Sequence, residues 1–253
     1  MNFQKRKQKI IEILSKRGEA DIKSLAVELD ISEITVRRDL NQLAEEGLLQ
    51  RTHGGAMPLE QTVTTPFEFT NKTTANQQAK DAICRVAAEQ IKEGDVIFMD
   101  CGSTVYRLCG FIKNKKIKVI TNSLPVVYEL MNTKVSLNLV GGEVDIKRQA
   151  IHGKTAEEHI KKYKADKAFI GIDGISPRGL FANSENEASI TLALAGQSNQ
   201  AYLLCDASKI GRESYLKFAE LNIINTVITD KNNSLDFLRE AGVAVICVDS
   251  KEG

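Results

Sequence analysis

Seven short apolar runs, at 96–99, 118–121, 136–140, 167–170, 201–205, 226–229 and 243–248, alternate with amphipathic stretches along the later part of the chain. No other feature narrows the fold as much. Strands separated by helix-length segments run parallel, because a crossover needs a dozen or more residues. A parallel sheet is covered on both faces, so its strands read as continuous apolar runs rather than as alternating ones. The stretches at 76–92, 104–111, 124–131, 155–162, 185–195 and 234–241 carry the helical period. With right-handed crossovers, residues 76–253 are expected to form a Rossmann-like three-layer α/β domain.

Residues 1–57 have a different pattern. Ile10, Ile11, Ile13 and Leu14 share one side of a helix over about 4–16, which stops at Arg17-Gly18. Asp21 is placed to cap a second helix with Ile22, Leu25, Ala26 and Leu29 turned inward. After Asp30-Ile31, Ser32 caps a third helix over 33–46, and Gly47 ends it. Segments 48–51 and 56–57 flank Thr52-His53-Gly54-Gly55, a hairpin turn whose glycines tolerate positive φ. Two helices joined by a tight turn and followed by a hairpin make a winged helix-turn-helix. Residues 58–75 contain Thr and Pro with no sustained apolar period and read as a linker.

The third helix offers a polar face. With Val36 in the core, Leu40 and Leu43 fall on the same side at about 100° per residue. The opposite face carries Glu33, Thr35, Arg37, Arg38 and Asn41. The first residues of such a helix reach base edges in a DNA groove, where arginine pairs bidentately with guanine. Ser32 and the wing residues Arg51 and His53 are expected to project toward the phosphate backbone or the minor groove. A second basic focus, Lys5, Arg6, Lys7 and Lys9, contains no acid. The plainer alternatives are a solvated helix face and a surface ion pair between Arg38 and Asp39.

The stretch 25–56, LAVELDISEITVRRDLNQLAEEGLLQRTHGGA, resembles the DNA-binding domain of the DeoR family of bacterial sugar-metabolism regulators. The resemblance lies in Ser32, in Thr35-Val36-Arg37-Arg38-Asp39-Leu40, and in Arg51-Thr52-His53-Gly54-Gly55-Ala56. It continues through the later domain and covers nearly the whole chain. It implies a repressor whose affinity for double-stranded operator DNA falls when a phosphorylated sugar binds the sensor domain.

In open α/β sheets ligands bind beyond the carboxyl ends of the strands. The segments there are Asp100-Cys101-Gly102-Ser103-Thr104, Thr121-Asn122-Ser123, Gly141-Gly142-Glu143, Gly171-Ile172-Asp173-Gly174 and Asp206-Ala207-Ser208-Lys209. Small residues let backbone N–H groups approach an anion. Gly102, Ser103, Thr104, Thr121, Asn122 and Ser123 are candidates to cradle a phosphate, with Gly141, Gly142 and Gly171 giving close backbone approach. Lys209 adds positive charge, while Asp100, Glu143 and Asp173 can accept from sugar hydroxyls. The alternative for each loop alone is a helix cap. The resemblance adds that family sensor domains are similar to ribose-phosphate isomerase and CoA-transferase folds, with the Asp-x-Gly-Ser-Thr, Thr-Asn-Ser, Gly-Gly and Asp-x-Ser-Lys motifs around the site. Family members often carry an arginine close to the Gly-Gly pair; here Glu143-Val144-Asp145 precedes Lys147-Arg148.

Composition excludes other classes. The 34 basic and 33 acidic side chains balance, so bulk charge gives no argument for nucleic acid, and the local arrangement has to carry it. No apolar run approaches the ~18 residues of a membrane span, and the start has no signal-peptide core. Five scattered cysteines without a CxxC pair read as free thiols of a cytoplasmic chain. The three histidines, His53, His152 and His159, lack ligand spacing with them, so no metal site is expected. No phosphate-loop or nucleophile-elbow motif is present, so no cofactor and no catalytic residue is expected. The alternative is a sugar-phosphate isomerase or transferase with an accessory DNA-binding domain, using Asp100, Glu143, Asp173 and Lys209 as acids and bases. A repressor implies a homodimer or homotetramer, since operator half-sites mirror protein symmetry. The residues alone do not separate repression from activation.

Overall fold

The computed structural model describes residues 3–45, 48–52, 54–58, 76–230 and 235–248. The chain divides into two compact units, 1–64 and 65–253.

The first unit begins with α1 (Phe3–Arg17), β1 (Ala20–Asp21), α2 (Ile22–Leu29) and α3 (Glu33–Glu45), and continues into β2 (Leu49–Arg51) and β3 (Gly55–Pro58). Asp21 caps α2 as expected, its carboxylate accepting from the Ser24 amide at 2.9 Å. Asp30 closes the helix in the left-handed region at φ 52°. Ser32 Oγ accepts from the Thr35 amide at 3.3 Å at the start of α3. Ile10 and Leu14 from α1, Leu25 from α2, and Val36, Leu40 and Leu43 from α3 meet in one core. Gly47 and residues 59–75, which include nearly all of the expected linker, lie outside the described residues.

The wing differs from the expected two-stranded hairpin. β3 is the central strand of three, paired antiparallel with β2 on one side and with β1 on the other. Neither Gly54 nor Gly55 has positive φ. Gly55 is required for close approach instead, because a Cβ there would sit 2.1 Å from the Ala20 carbonyl oxygen.

The second unit is built on β4 (Val96–Met99), β5 (Lys118–Thr121), β6 (Ser136–Leu139), β9 (Ala165–Ile170), β12 (Ser198–Leu204), β14 (Thr226–Asp230) and β15 (Ala244–Val248). They form one parallel sheet in the order β6-β5-β4-β9-β12-β14-β15. The chain moves outward from β4 through β5 to β6, then returns to lay β9 on the other side of β4. The reversal point is therefore between β4 and β9. Side chains of one strand alternate between two cores: Ile97 and Met99 pack with α4 (Gln77–Glu89), whereas Phe98 packs with α8 (Lys154–Ile160) and α9 (Glu185–Gly196). This is the three-layer arrangement that the apolar runs imply.

The 104–111 helix is two pieces, α5 (Ser103–Arg107) and α6 (Cys109–Ile112), and the helix expected at 124–131 follows β5 as α7 (Leu124–Leu130). Two small sheets have no counterpart among the expected elements. β7 (Glu143–Asp145) and β8 (Ala150–His152) form a hairpin. β10 (Gly174–Ser176), β11 (Gly179–Ala182) and β13 (Leu216–Ala219) form a separate antiparallel sheet. The last described helix is α10 (Asp236–Glu240). Among the described residues no helix is long and apolar enough to cross a membrane, and no group of His, Cys, Asp and Glu is arranged to hold a metal ion.

Candidate functional site

In the first unit, the α3 face away from the core carries the residues that periodicity placed there. Ser32, Glu33, Arg37, Arg38 and Asn41 are exposed and Thr35 is half-buried. Arg37 lies 3.7 Å from Glu33 one turn earlier, an exposed pair of small energetic weight. Arg51 does not point away from the wing. Its Nη1 donates to Asn41 Oδ1 and, at 3.3 Å, to the Arg37 carbonyl, while Nε donates to the Gly55 carbonyl at 3.2 Å. It therefore fastens the wing to α3. His53 lies outside the described residues.

Asp39 is not the partner of Arg38. It is buried, and its two oxygens accept from Arg6 Nε at 2.6 Å and Nη2 at 3.0 Å. Asp39 raises the Arg6 guanidinium further above its ordinary value. Arg6 accordingly leaves the amino-terminal basic focus and becomes a tie between α1 and α3.

In the second unit, a cavity of about 160 Å³ lies beyond the carboxyl ends of β4, β9 and β12. Asp100, Gly102, Ser103 and Thr104 from the first loop, Gly171 and Asp173 from the second, and Lys209 from the third line it together. Gly102 and Gly171 face each other across the reversal point, where a Cβ on either would stand 3.4 Å from the other's Cα. Asp100 is buried. Its Oδ1 accepts from the Cys101 amide at 2.7 Å, and its Oδ2 accepts from the Gly171 amide at 3.2 Å and Thr191 Oγ1 at 3.4 Å. Burial pushes its carboxyl above the usual range, and the amide bonds oppose that. Asp173 accepts from the Asn183 amide at 3.0 Å.

The other two loops do not line this cavity. Thr121, Asn122 and Ser123 are fully buried and hold the fold. Thr121 Oγ1 donates to the Met99 carbonyl at 2.6 Å, Asn122 Nδ2 to the Ile151 carbonyl at 3.1 Å, and Ser123 Oγ caps α7 at the Val126 amide. The Gly141 amide donates to His159 Nδ1 at 2.9 Å. Gly142, at φ 153°, passes so close to β8 that a Cβ would meet the His152 carbonyl oxygen at 2.7 Å. Glu143 begins β7 and is exposed. The helix cap given as the plainer alternative describes Ser123, whereas Thr121, Asn122, Gly141 and Gly142 tie neighbouring elements together.

Other residues complete the lining. Asn76 and Lys80 come from the start of α4, Lys147 and Arg148 from the β7–β8 turn, Glu187 and Thr191 from α9, and Asp206 from the end of β12. Arg148 reaches the cavity despite its distance in sequence from Gly141-Gly142, and its Nη2 donates to Glu187 at 2.9 Å. Lys80 is 4% exposed, and its Nζ donates to Ser103 Oγ at 3.3 Å. Its sequence signal is its place on the apolar stripe of α4 with Ile83, Cys84 and Ala87, where a lysine is out of character.

A winged helix-turn-helix that exposes a row of polar and basic side chains, in one chain with an α/β unit holding a charged cavity at its reversal point, defines a ligand-sensing transcriptional regulator. Family models narrow the class. The DeoR-like helix-turn-helix domain matches residues 6–62 and the DeoR C terminal sensor domain matches residues 75–231, so the chain belongs to the DeoR family. It is 35% identical over 246 residues to the lactose phosphotransferase system repressor of Lactococcus lactis subsp. lactis, covering 95% of this chain and 96% of that protein. It is 32% identical over 246 residues to the HTH-type transcriptional regulator GlpR of Haloferax volcanii, again at 95% and 96% coverage. With the HTH-type transcriptional repressor GlcR of Bacillus subtilis it shares 30% over 249 residues, 96% of each chain. These relatives are named as regulators and repressors rather than enzymes. Among solved structures, ribose 5-phosphate isomerase A of Methanocaldococcus jannaschii is similar over 54% of this chain and 55% of that one, with 20% identity and a TM-score of 0.39.

Proposed function

We propose that this chain is a cytoplasmic repressor of a carbohydrate-utilisation operon, released from its operator when a phosphorylated sugar occupies the cavity of the second unit. The observation that carries the reading is the cavity at the β4–β9 reversal point, where Ser103, Thr104, Lys209 and the carboxylates Asp100 and Asp173 converge. Hydroxyls and an ammonium suit a phosphate, and carboxylates suit sugar hydroxyls. Gly102 and Gly171 let the two loops that line the cavity pack closely against each other. In the first unit, Arg37, Arg38 and Asn41, with Ser32, Glu33 and Thr35, read the operator in the major groove, with the wing alongside. Residues 1–57 act as the DNA-binding domain, 58–75 as the linker and 76–253 as the sensor. The active species is a homodimer or homotetramer on a symmetric operator. Thr121, Asn122, Ser123, Gly141 and Gly142 act by fixing the loops near the cavity rather than by touching the effector, and Glu143 stays exposed at the start of β7.

The test is a thermal-shift screen of the full chain against hexose and pentose monophosphates and the matching free sugars. At a ligand concentration ~100-fold above Kd, one phosphate ester is expected to stabilise the protein by about 2.7 kcal/mol. No stabilisation by any phosphate ester, or equal stabilisation by a free sugar, contradicts the phosphosugar assignment.

A further inference from the structure

Ile34, the second residue of α3, is 80% exposed. A single exposed apolar side chain has no meaning by itself; Val27 on α2 is 83% exposed. What sets Ile34 apart is its place. At about 100° per residue it stands about 160° from Val36, so it points away from the core. Arg37, Arg38 and Asn41 follow it by three, four and seven residues and fall within about 60°, 40° and 20° of its direction. All three are exposed. Ile34 is therefore the first member of this four-residue row, and the one whose side chain can make no hydrogen bond.

Its neighbours narrow what can cover it. The acids in the first two turns of α3 are Glu33, 3.7 Å from Arg37, and Asp39, which is buried against Arg6. The exposed charges beside Ile34 are thus two guanidinium groups and one carboxylate, which suits a polyanionic partner. In a major groove, side chains from the start of such a helix reach the base edges. Every base presents hydrogen-bonding groups there, and thymine alone adds a methyl group. Isoleucine gains by covering that methyl group, whereas against the amino group of cytosine it leaves a donor unpaired. Thr35 also carries a methyl group, but it is half-buried and its hydroxyl lies 2.9 Å from Ser32 Oγ.

We propose that Ile34 is a specificity-determining residue that packs against the 5-methyl group of one thymine in each operator half-site. This rests on α3 being the DNA-reading helix, and adds to it a residue and the base that the residue selects.

Fluorescence anisotropy of the full chain tests this on an operator duplex selected from a random pool, with each thymine replaced in turn by deoxyuridine. The replacement removes one methyl group and keeps the hydrogen-bonding edge. The wild-type chain is expected to bind roughly threefold or more weakly when the contacted thymine loses its methyl group. Ile34→Ala is expected to lose a similar or larger factor on the thymine duplex, and to bind the thymine and uracil duplexes alike at that position. Val27→Ala is expected to keep the wild-type discrimination. Alanine is the better helix former, so Ile34→Ala is expected to unfold at no lower temperature than the wild type.

A wild-type chain indifferent to every thymine methyl group overturns the proposal. So does an Ile34→Ala variant that keeps the discrimination at every position, or a Val27→Ala variant that loses it. An Ile34→Ala variant that is less stable or changes oligomeric state, with discrimination intact, marks an isoleucine covered by protein and overturns it as well. If the wild-type chain binds no duplex from the pool, the α3 reading falls and this proposal falls with it. If Arg37→Ala and Arg38→Ala weaken binding while Ile34→Ala keeps the discrimination, only this proposal falls.

Discussion

Asp39 lies on the inner side of α3, and Arg6 reaches it from α1 through two nitrogens at 2.6 and 3.0 Å. Their side chains are 10% and 2% exposed. A charge pair in such a place adds little net stability over apolar residues, but removing one partner strands the other. Arg6→Ala and Asp39→Ala are each expected to destabilise the first unit by about 3 kcal/mol, the low end for a buried pair because this one lies at the edge of a small core. The double variant should cost clearly less than the sum of the two, since it strands neither charge. Urea denaturation checks this, and strictly additive losses would show that the two groups do not interact. At this scale the sequence misleads in an instructive way. Arg6 stands between lysines and reads as part of a basic cluster, and Asp39 follows Arg38 and reads as its neighbour's partner. The pairing across 33 residues has no local signal. Lys80 is the opposite case: its place on an apolar stripe is visible in the sequence, but what it faces is not.

The wing shows how an element can be right in kind and incomplete in detail. The turn residues between 51 and 56 predict a hairpin, and β2 and β3 form one. The two-residue β1 is too short to carry any periodic signal, yet it pairs with β3 through Ala20↔Ala56 and Asp21↔Gly55. Gly55→Ala would place a methyl carbon 2.1 Å from the Ala20 carbonyl oxygen, a clash that the β1–β3 pair can relieve only by parting. A loss of about 1–3 kcal/mol is expected, whereas Gly54→Ala, with open space around it, should be close to neutral. Equal stabilities of the two variants in denaturant would contradict the close-approach role. In the second unit the strands of the main sheet were legible because each carries a short apolar run, largely buried in the central β4, β9 and β12 and only half-buried at the edge strands β6 and β15. The β7–β8 hairpin and the β10-β11-β13 sheet were not. Glu143-Val144-Asp145 and Gly174-Ile175-Ser176 are three residues long and carry no run. Those unread pieces matter to the site, because the β7–β8 turn is what brings Lys147 and Arg148 to the cavity.

At the scale of the whole molecule, a unit that exposes arginines on α3 and a unit that encloses a charged cavity lie on one chain of a family of regulators. The reversal of strand order locates the cavity from topology alone, and the exposed face of α3 follows from helical period alone. The fold class and the two candidate regions were therefore legible, while the division of the five loops into three that line the cavity and two that do not required the packing of α7 and β8. Control of one unit by the other requires that the effector bind the two DNA-affinity states unequally. Fluorescence anisotropy of an operator duplex selected from a random pool measures that difference directly, for the wild-type chain and for Arg37→Ala and Arg38→Ala, with and without the sugar phosphate that stabilises the protein. Tight binding that the sugar phosphate weakens by roughly tenfold or more, and that either arginine variant weakens by a similar factor, is the predicted result; wild-type affinity that no bound sugar phosphate alters, or arginine variants that hold the operator as tightly as the wild type, would contradict it.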